Sequence, residues 1–474
     1  MHPQIRTSSR WFFLVQFVLL VVWGSPALAQ GLFEQATAAP SEPTSTESSV
    51  SDLSFEWNGY LRGDVYVGQE PQGDGADVSG AYGELSLSVK ARKGKWGDAV
   101  GEFRLWQGSQ FGEMETRYQL REAYVKAYLG PFDLNVGQQV IVWGRADGVN
   151  PTNNLTPVSM AVRSPNEDDR RLSNFAIQLH GYFQPVHIEA VWIPVYAPSY
   201  FPPFQLSPAI QFGDPQYPDV ALENGTEALR LNFETAAIDG SVSYLYGLAP
   251  LPGITLNSLD ITSGSPVVSV AFHPYRQHVV GGDFATTISD LFGLRGEVAY
   301  KRPAEDGSPD FEPLPELHYV VGLDKTFGDW TFIVQYNGKY VFDWTALPDY
   351  GVDLAAPVID VAAIMAVEGG PQTVSGNEIR RKNRMIRGQL DRWTHGATAR
   401  IGWALLYDTL NLELLGSYNA STQEWFGRFK ASYDLADALT VAGGVEWYGG
   451  PDGTLYGTID ELMSGGFLEL KASF

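Results

Sequence analysis

From Phe55 to the C-terminus, apolar and polar residues alternate in runs of roughly ten positions, each closed by a turn. In TLNLELLGSY, which starts at Thr409, residues Leu410, Leu412, Leu414 and Tyr418 share one face, while Asn411, Glu413, Ser417 and Asn419 share the other. In FLELKASF, residues Leu468, Leu470, Ala472 and Phe474 alternate with Glu469, Lys471 and Ser473. Period two over this length is a β-strand whose faces meet different media. No helical repeat separates the runs, which argues against a parallel βαβ sheet and for antiparallel neighbours.

The pattern predicts strands near 54–67, 81–92, 98–108, 117–129, 132–143, 173–183, 186–195, 227–235, 238–248, 277–288, 291–302, 316–327, 330–343, 393–407, 409–420, 423–434, 437–449 and 464–474. That makes about 18, or 16 if a weak run such as 227–235 is loop. The joints alternate in length. KGKWG, GPF, QP, ETAAI, SD, GDW, DT and LADA are short, whereas 144–172, 196–226, 249–276, 303–315 and 344–392 are long. Short turns on one rim and long loops on the other are the signature of a transmembrane antiparallel β-barrel with both termini periplasmic. The joint at 421–422 is the exception. A secreted solenoid or propeller also has many strands, but its repeat lacks apolar outer faces with aromatic ends.

Outward faces agree with lipid contact: Leu85, Leu87, Val89 and Ala91 on the second strand, and Trp330, Phe332, Val334, Tyr336 and Tyr340 on the thirteenth. Trp192, Trp403, Trp425 and Trp447 fit aromatic girdles at the headgroup level.

The N-terminus adds a compartment. Arg6 and Arg10 precede the apolar run Trp11 to Trp23, and Ala27 and Ala29 supply a small-residue cleavage site. This predicts a signal peptide over 1–29, too short to span a bilayer. Residues 30–53, rich in Ala, Ser, Thr, Pro and Glu, predict a flexible periplasmic leader, leaving 54–474 as the barrel. With 50 Gly and 13% aromatics, composition suits strands and turns better than packed helices. Loss of the two arginines takes the formal charge from −23 to −25, which argues against nucleic-acid binding. The absence of Cys excludes disulfides and thiolate metal sites.

The register turns Arg62, Arg92, Arg104, Glu122, Lys126, Arg230, Arg295 and Glu297 toward the lumen. Lys90, Lys301, Arg400, Arg428, Lys430 and Lys471 also face inward, with Glu56, Asp64, Glu84, Glu102, Glu234, Glu413, Glu446 and Glu469. A wall of both signs either pairs across strands in a plugged interior or lines water and sorts solutes by charge. A barrel of this size favours a water-filled channel.

Several loops carry candidate chemistry. The third outward loop, 144–172, holds Arg145, Asp147, Arg163, Glu167, Asp168, Asp169, Arg170 and Arg171. By position it resembles the inward-folded third loop of general porins, which implies a constriction; a solvated charge run at the outer rim is the competing reading. In the seventh, 353–370 could form an apolar helix. The basic run Arg380, Arg381, Lys382, Arg384, Arg387 and Arg392 either meets lipopolysaccharide phosphates outside or enters the lumen to attract anions. The fourth, 196–219, mixes Pro with aromatics. His180 and His187, flanking the QP turn, predict a polar pair near the periplasmic rim. The histidines lack metal-ligand spacing, and no HExxH or GxSxG occurs, so neither a metal, a cofactor nor a catalytic set is expected.

Gly137-Gln138-Gln139-Val140, then Trp143-Gly144 and Asn150-Pro151, resembles a segment, GRQVV-WG...NP, shared by proteobacterial outer-membrane barrel proteins of porin type whose activity is uncharacterised. The likeness covers roughly 132 to 172 and departs at Gln138, where Arg is usual, and at Arg145. It implies an envelope channel or transport accessory without enzymatic activity. Phe474 resembles the terminal aromatic that the barrel-assembly machinery recognises. The expectation is an outer-membrane porin-like channel for small solutes, contacting membrane lipid and lipopolysaccharide. The alternative is a gated or non-conducting accessory of an exporter of hydrophobic compounds. In the motif, Leu134, Val136, Val140 and Val142 should face lipid, Trp143 the lumen or rim, and Arg145 and Asp147 the solute path.

Overall fold

The computed structural model describes residues 53–69, 75–200, 210–260, 267–289, 291–305, 310–351 and 361–474. The expected signal peptide, nearly all of the leader, part of the fourth loop's Pro-aromatic stretch and the first part, 353–360, of the expected helix at 353–370 lie outside them.

Eighteen strands form one antiparallel sheet. They are β1 Leu53–Gln69, β2 Ala76–Lys93, β3 Gly97–Gln110, β4 Glu113–Leu129, β5 Phe132–Gln139, β6 Asn174–Phe183, β7 Val186–Ile193, β8 Thr226–Glu234 and β9 Asp239–Leu248. After them come β10 Arg276–Ile288, β11 Phe292–Pro303, β12 Glu316–Phe327, β13 Trp330–Val341, β14 Trp393–Leu405, β15 Leu410–Asn419, β16 Glu424–Ala436, β17 Leu439–Gly449 and β18 Gly465–Ser473. Each pairs with its neighbour in sequence, and β1 pairs with β18 from Tyr60↔Ser473 to Gly68↔Gly465, which closes the barrel and leaves no edge. The run at 227–235 is a barrel strand, so the 16-strand count falls away.

Alternation does what the two solvents demand. Along β1, Gly63, Val65 and Val67 are exposed while Arg62, Asp64 and Tyr66 are buried. Val298, Val321, Val334 and Leu414 on other strands are likewise exposed on the outer surface, and Trp425 and Trp447 stand near strand ends.

Three local departures matter. β3 and β4 run further than the pattern suggests and meet in a hairpin at Phe111 and Gly112, both at positive φ, so the outer rim has a second short joint beside 420–423. In β4 a register shift sets Glu102 opposite Glu122 but Phe103 opposite Leu120, which leaves Arg121 as the extra residue of a bulge. Finally, β5 stops at Gln139 rather than 143. Gly137 sits there at φ 138°, where a Cβ would collide with the Ala123 carbonyl, and the chain leaves the sheet.

Outside the barrel the long loops build a second core. Ile210–Phe212 runs parallel to Val267–His273, which pairs antiparallel with Gly253–Asp260. Against this small sheet pack α1 Val361–Ala366 and α2 Gly370–Ile386, burying Ile254, Val268, Val270, Ile364, Val374 and Ile379. Asn383 ties α2 to it, accepting from Ile254 N and donating to Ile254 O and Asp310 O. A third helix, α3 Leu455–Met463, fills the last outer loop, with Thr454 Oγ1 accepting from Gly457 N at its start.

Candidate functional site: the third loop across the lumen

The third outward loop, between β5 and β6, is bound at two places on the wall. Its first half meets β10, β11, β13 and β14. The Glu297 carboxylate on β11 accepts from Arg145 N and Ala146 N, and from Thr152 Oγ1 at 3.1 Å. Arg145 reaches Asp283 on β10 at 2.7 Å, where Arg230 also binds at 2.8 Å. Arg295 donates to the Arg145 carbonyl and pairs with Asp324. Asp147 receives Arg400 of β14 at 2.9 Å, and its backbone pairs with the Gln335 side-chain amide on β13.

The second half meets the other side. Asp169, in the short 3-10 turn Glu167–Arg170, takes Arg62 of β1 at 2.7 Å and Arg104 of β3 at 2.9 Å. Burial opposes ionisation of Asp169, but Arg62, the Ser164 hydroxyl and Arg104 outweigh it and hold the carboxyl down at about 2. In a ring of eighteen strands β1 and β10 are diametrically opposed, so the loop bridges the lumen.

Between its ends the loop is seated by apolar contacts. Ile141, Trp143 and Leu155 pack on inward-facing Ala176, Val191, Ile193, Ala228, Leu245, Val279 and Ala299 of β6 to β11. Trp143 also donates to Glu189 at 2.9 Å. Full burial of side chains such as Ile141 and Leu155 contributes about 1.5–3 kcal/mol each before ordering costs.

The Trp-Gly and Asn-Pro pairs of the sequence segment build the turn that delivers this. Asn150 Nδ2 donates to the Trp143 carbonyl at 2.8 Å, and Asn150 Oδ1 accepts from Asn153 N. Gly144 sits at φ 99°, and a Cβ there would lie 2.6 Å from Glu297 Oε1, so only glycine lets the carboxylate reach the loop backbone.

The structure distributes the anticipated loop residues unevenly. Arg145, Asp147 and Arg171 keep partial exposure and Asp168 is open, its side chain 60% exposed and paired with Arg171. Arg163 and Asp169 are buried, and Arg170 is half-buried. Arg163, 2% exposed, stacks over Tyr66 with its centre 4.6 Å from the ring and donates to Ser79 Oγ and the Met463 carbonyl. Val140 corrects the expectation of a lipid-facing position: it lines an internal cavity, because the chain has already left the sheet. Trp143 is buried inward.

That cavity, about 340 Å³, lies beside the 3-10 turn and is lined by Tyr60, Arg62, Glu102, Arg104, Arg121, Glu122, Val140, Asn166, Asp168, Asp169 and Lys471. Arg121 was missed by pattern reading, since strict alternation with Glu122 puts it on the lipid face. The bulge turns both inward, and Arg121 donates to the carbonyls of Asp168 and Arg171.

Wall charges pair across strands. Arg92 and Lys90 meet Asp98, Lys126 meets Asp133, and Arg428 meets Glu413 and Glu446. His180 and His187 face each other at 3.1 Å. The basic run of the seventh loop is largely engaged within the outer core: Arg380 binds Asp310, Arg381 and Lys382 bind Glu378, and Arg387 donates to Tyr275 Oη. Among the described residues, no group of three His, Cys, Asp or Glu converges on a metal position.

The architecture has known counterparts. OccAB3 of Acinetobacter baumannii superposes with a TM-score of 0.51 at 11% identity, over 89% of this chain and 99% of that one. A BenF-like porin from Pseudomonas fluorescens Pf-5 gives 0.51 at 12%, over 89% and 98%. OccAB1 of Acinetobacter baumannii gives 0.50 at 10%, over 90% and 99%. This is a porin fold. No protein-family model and no curated protein matches the sequence, so at these identities the likeness carries architecture alone. Within that fold, this chain's own residues define the loop bridge, its two charged anchorages and its apolar seat.

Proposed function

We propose that this chain is a passive channel of the Gram-negative outer membrane, with the third loop as its constriction for small solutes. The observation that carries this reading is the loop's bridge between opposite walls of a closed barrel. A loop held there narrows an eighteen-stranded lumen that would otherwise be wide. Arg145, Asp147, Asp168 and Arg171 then form the charged rim met by a solute, whereas Arg163, Asp169 and Arg170 hold the loop in place. Because wall cations are matched by carboxylates, the channel discriminates by size and dipole more than by net charge. Phe474 serves as the assembly signal, and the outer surface contacts membrane lipid.

Refolded protein in a planar bilayer should give discrete conductance steps. Absence of any step would overturn the channel reading in favour of a closed accessory barrel.

A finer test concerns Arg145. Arg145→Ala removes one cation from the loop and leaves Asp283 with Arg230, so the reversal potential in a salt gradient should move toward cation preference while the barrel stays folded. Unchanged conductance and unchanged selectivity would remove Arg145 from the solute path.

A further inference from the structure

The outer surface carries a cationic patch that the channel reading does not use. On β11 the alternation that points Val298 and Tyr300 outward also points Arg302 outward, at the last turn before the chain enters the sixth loop. Cross-strand register sets Arg302 opposite His278 on β10, and His278 opposite Tyr246 on β9. Arg276, two residues above His278, lies on the same face with its guanidinium 5.7 Å from the Tyr246 ring centre. Two guanidinium groups and an imidazole thus share one small outward area.

Their surroundings fix the level. The next outward row is Tyr244, Val280 and Tyr300, and below it stand Val242 and Val298; the three valines are exposed and belong to the lipid-facing apolar band of these strands. The cations therefore stand at its outer boundary. At the outer ends of β13 to β16 the corresponding outward positions are Tyr336, Tyr340, Trp393, His395, Tyr418 and Trp425, so no arginine or lysine appears there. On the same face the carboxylate of Glu227, on β8, lies opposite Tyr246, three strands from Arg302.

The groups differ in availability. Arg302 is exposed and makes no hydrogen bond or ion pair among the described residues. The His278 ring is oriented by Tyr244 Oη at its Nδ1, 2.8 Å away, and its Nε2 has no such contact. Arg276 is held over the Tyr246 ring, on the β9 side of His278, by the Glu223 carbonyl and Asn224 Oδ1. A preset guanidinium, an oriented imidazole and a free guanidinium suit a phosphate monoester, which accepts bidentate, charge-assisted bonds. The height above the apolar band selects a lipid-borne phosphate over a solute in the lumen.

We propose that Arg276, His278 and Arg302 form a binding site for a phosphate of the outer-leaflet glycolipid. The test is native mass spectrometry of the full folded protein in detergent, titrated with bisphosphorylated lipid A, its dephosphorylated counterpart, or phosphatidylglycerol. A specific adduct should form with bisphosphorylated lipid A and fall about tenfold or more in Arg302→Gln, and further in Arg276→Gln/Arg302→Gln. Equal retention of dephosphorylated lipid A, equal retention of phosphatidylglycerol, or unchanged binding by Arg302→Gln would overturn the proposal. Arg302 touches neither loop 3 nor the lumen, so Arg302→Gln should keep wild-type conductance; the glycolipid and channel readings thus fail independently.

Discussion

Replacing Glu297 with Leu should raise single-channel conductance and add rapid fluctuations, while the barrel keeps its resistance to heat and detergent. The carboxylate is where the first half of the third loop is fastened, through Arg145 N, Ala146 N and the Thr152 hydroxyl. A hydrogen bond to a charged group is worth about 1.5–3 kcal/mol net, and the donors left behind by Leu are enclosed and unpaired. Loss of even about 3 kcal/mol of docking changes the ratio of seated to lifted loop by roughly 100-fold. The lifting is local. Ile141, Trp143 and Leu155 stay in their apolar seat and Asp169 stays on Arg62, so residues 144–153 move while the rest of the loop holds. Glu297→Gln keeps an acceptor and should fall between. Gly144→Ala should act like Glu297→Leu, because its Cβ would occupy the space the carboxylate uses. Wild-type conductance and noise in all three variants would show that this fastening does not control the passage.

The barrel was legible in the sequence because lipid and water impose opposite demands on alternate residues of every strand. Strand number and the outward faces of β2 and β13 follow from that contrast alone. Where it weakens, so does the reading. Arg121 and Glu122 are adjacent and both inward, a state that no period-two rule produces; the bulge is visible only in cross-strand register. The apolar seat of the loop left a clearer trace. The outer halves of β7 and β9, AVWI and LYGL, are apolar on both faces, and a lumen wall of Ala, Val, Ile and Leu implies an apolar cover. That cover is the third loop's own Ile141, Trp143 and Leu155, which the motif places immediately after a strand that ends four residues early. The small outer sheet was illegible, since its strands are short and buried against helices rather than set between two solvents.

The largest loss of stability should come from Arg62. Its side chain is 3% exposed and meets Asp169 at 2.7 Å, Glu84 at 3.0 Å, Glu469 at 3.4 Å and Asp64 at 3.5 Å, so one cation serves four carboxylates from three strands and the loop. A buried ionic network is not in itself evidence of net stabilisation, because desolvating the charges consumes much of the attraction. Removing the shared cation is a different operation: it leaves the carboxylates repelling one another with Arg104 as the remaining counter-ion for Glu84 and Asp169. Breaking such a buried group costs about 3–5 kcal/mol. Arg62→Ala should therefore lower the temperature at which the folded barrel converts to the unfolded gel band, and free the second half of the third loop. Arg62→Lys should rescue only in part, since an ammonium cannot span four acceptors with the guanidinium's planar fork. The pH dependence follows from Asp169, whose carboxyl is held down from 3.8 to about 2. A depressed carboxyl stabilises fully above its unfolded value and loses that contribution as pH falls through the folded one. Loop docking through Asp169 should accordingly be constant above about pH 4 and weaken only below it. Equal heat resistance in wild type, Arg62→Ala and Arg62→Lys would show that solvent, rather than Arg62, neutralises the cluster at the β1–β18 closure.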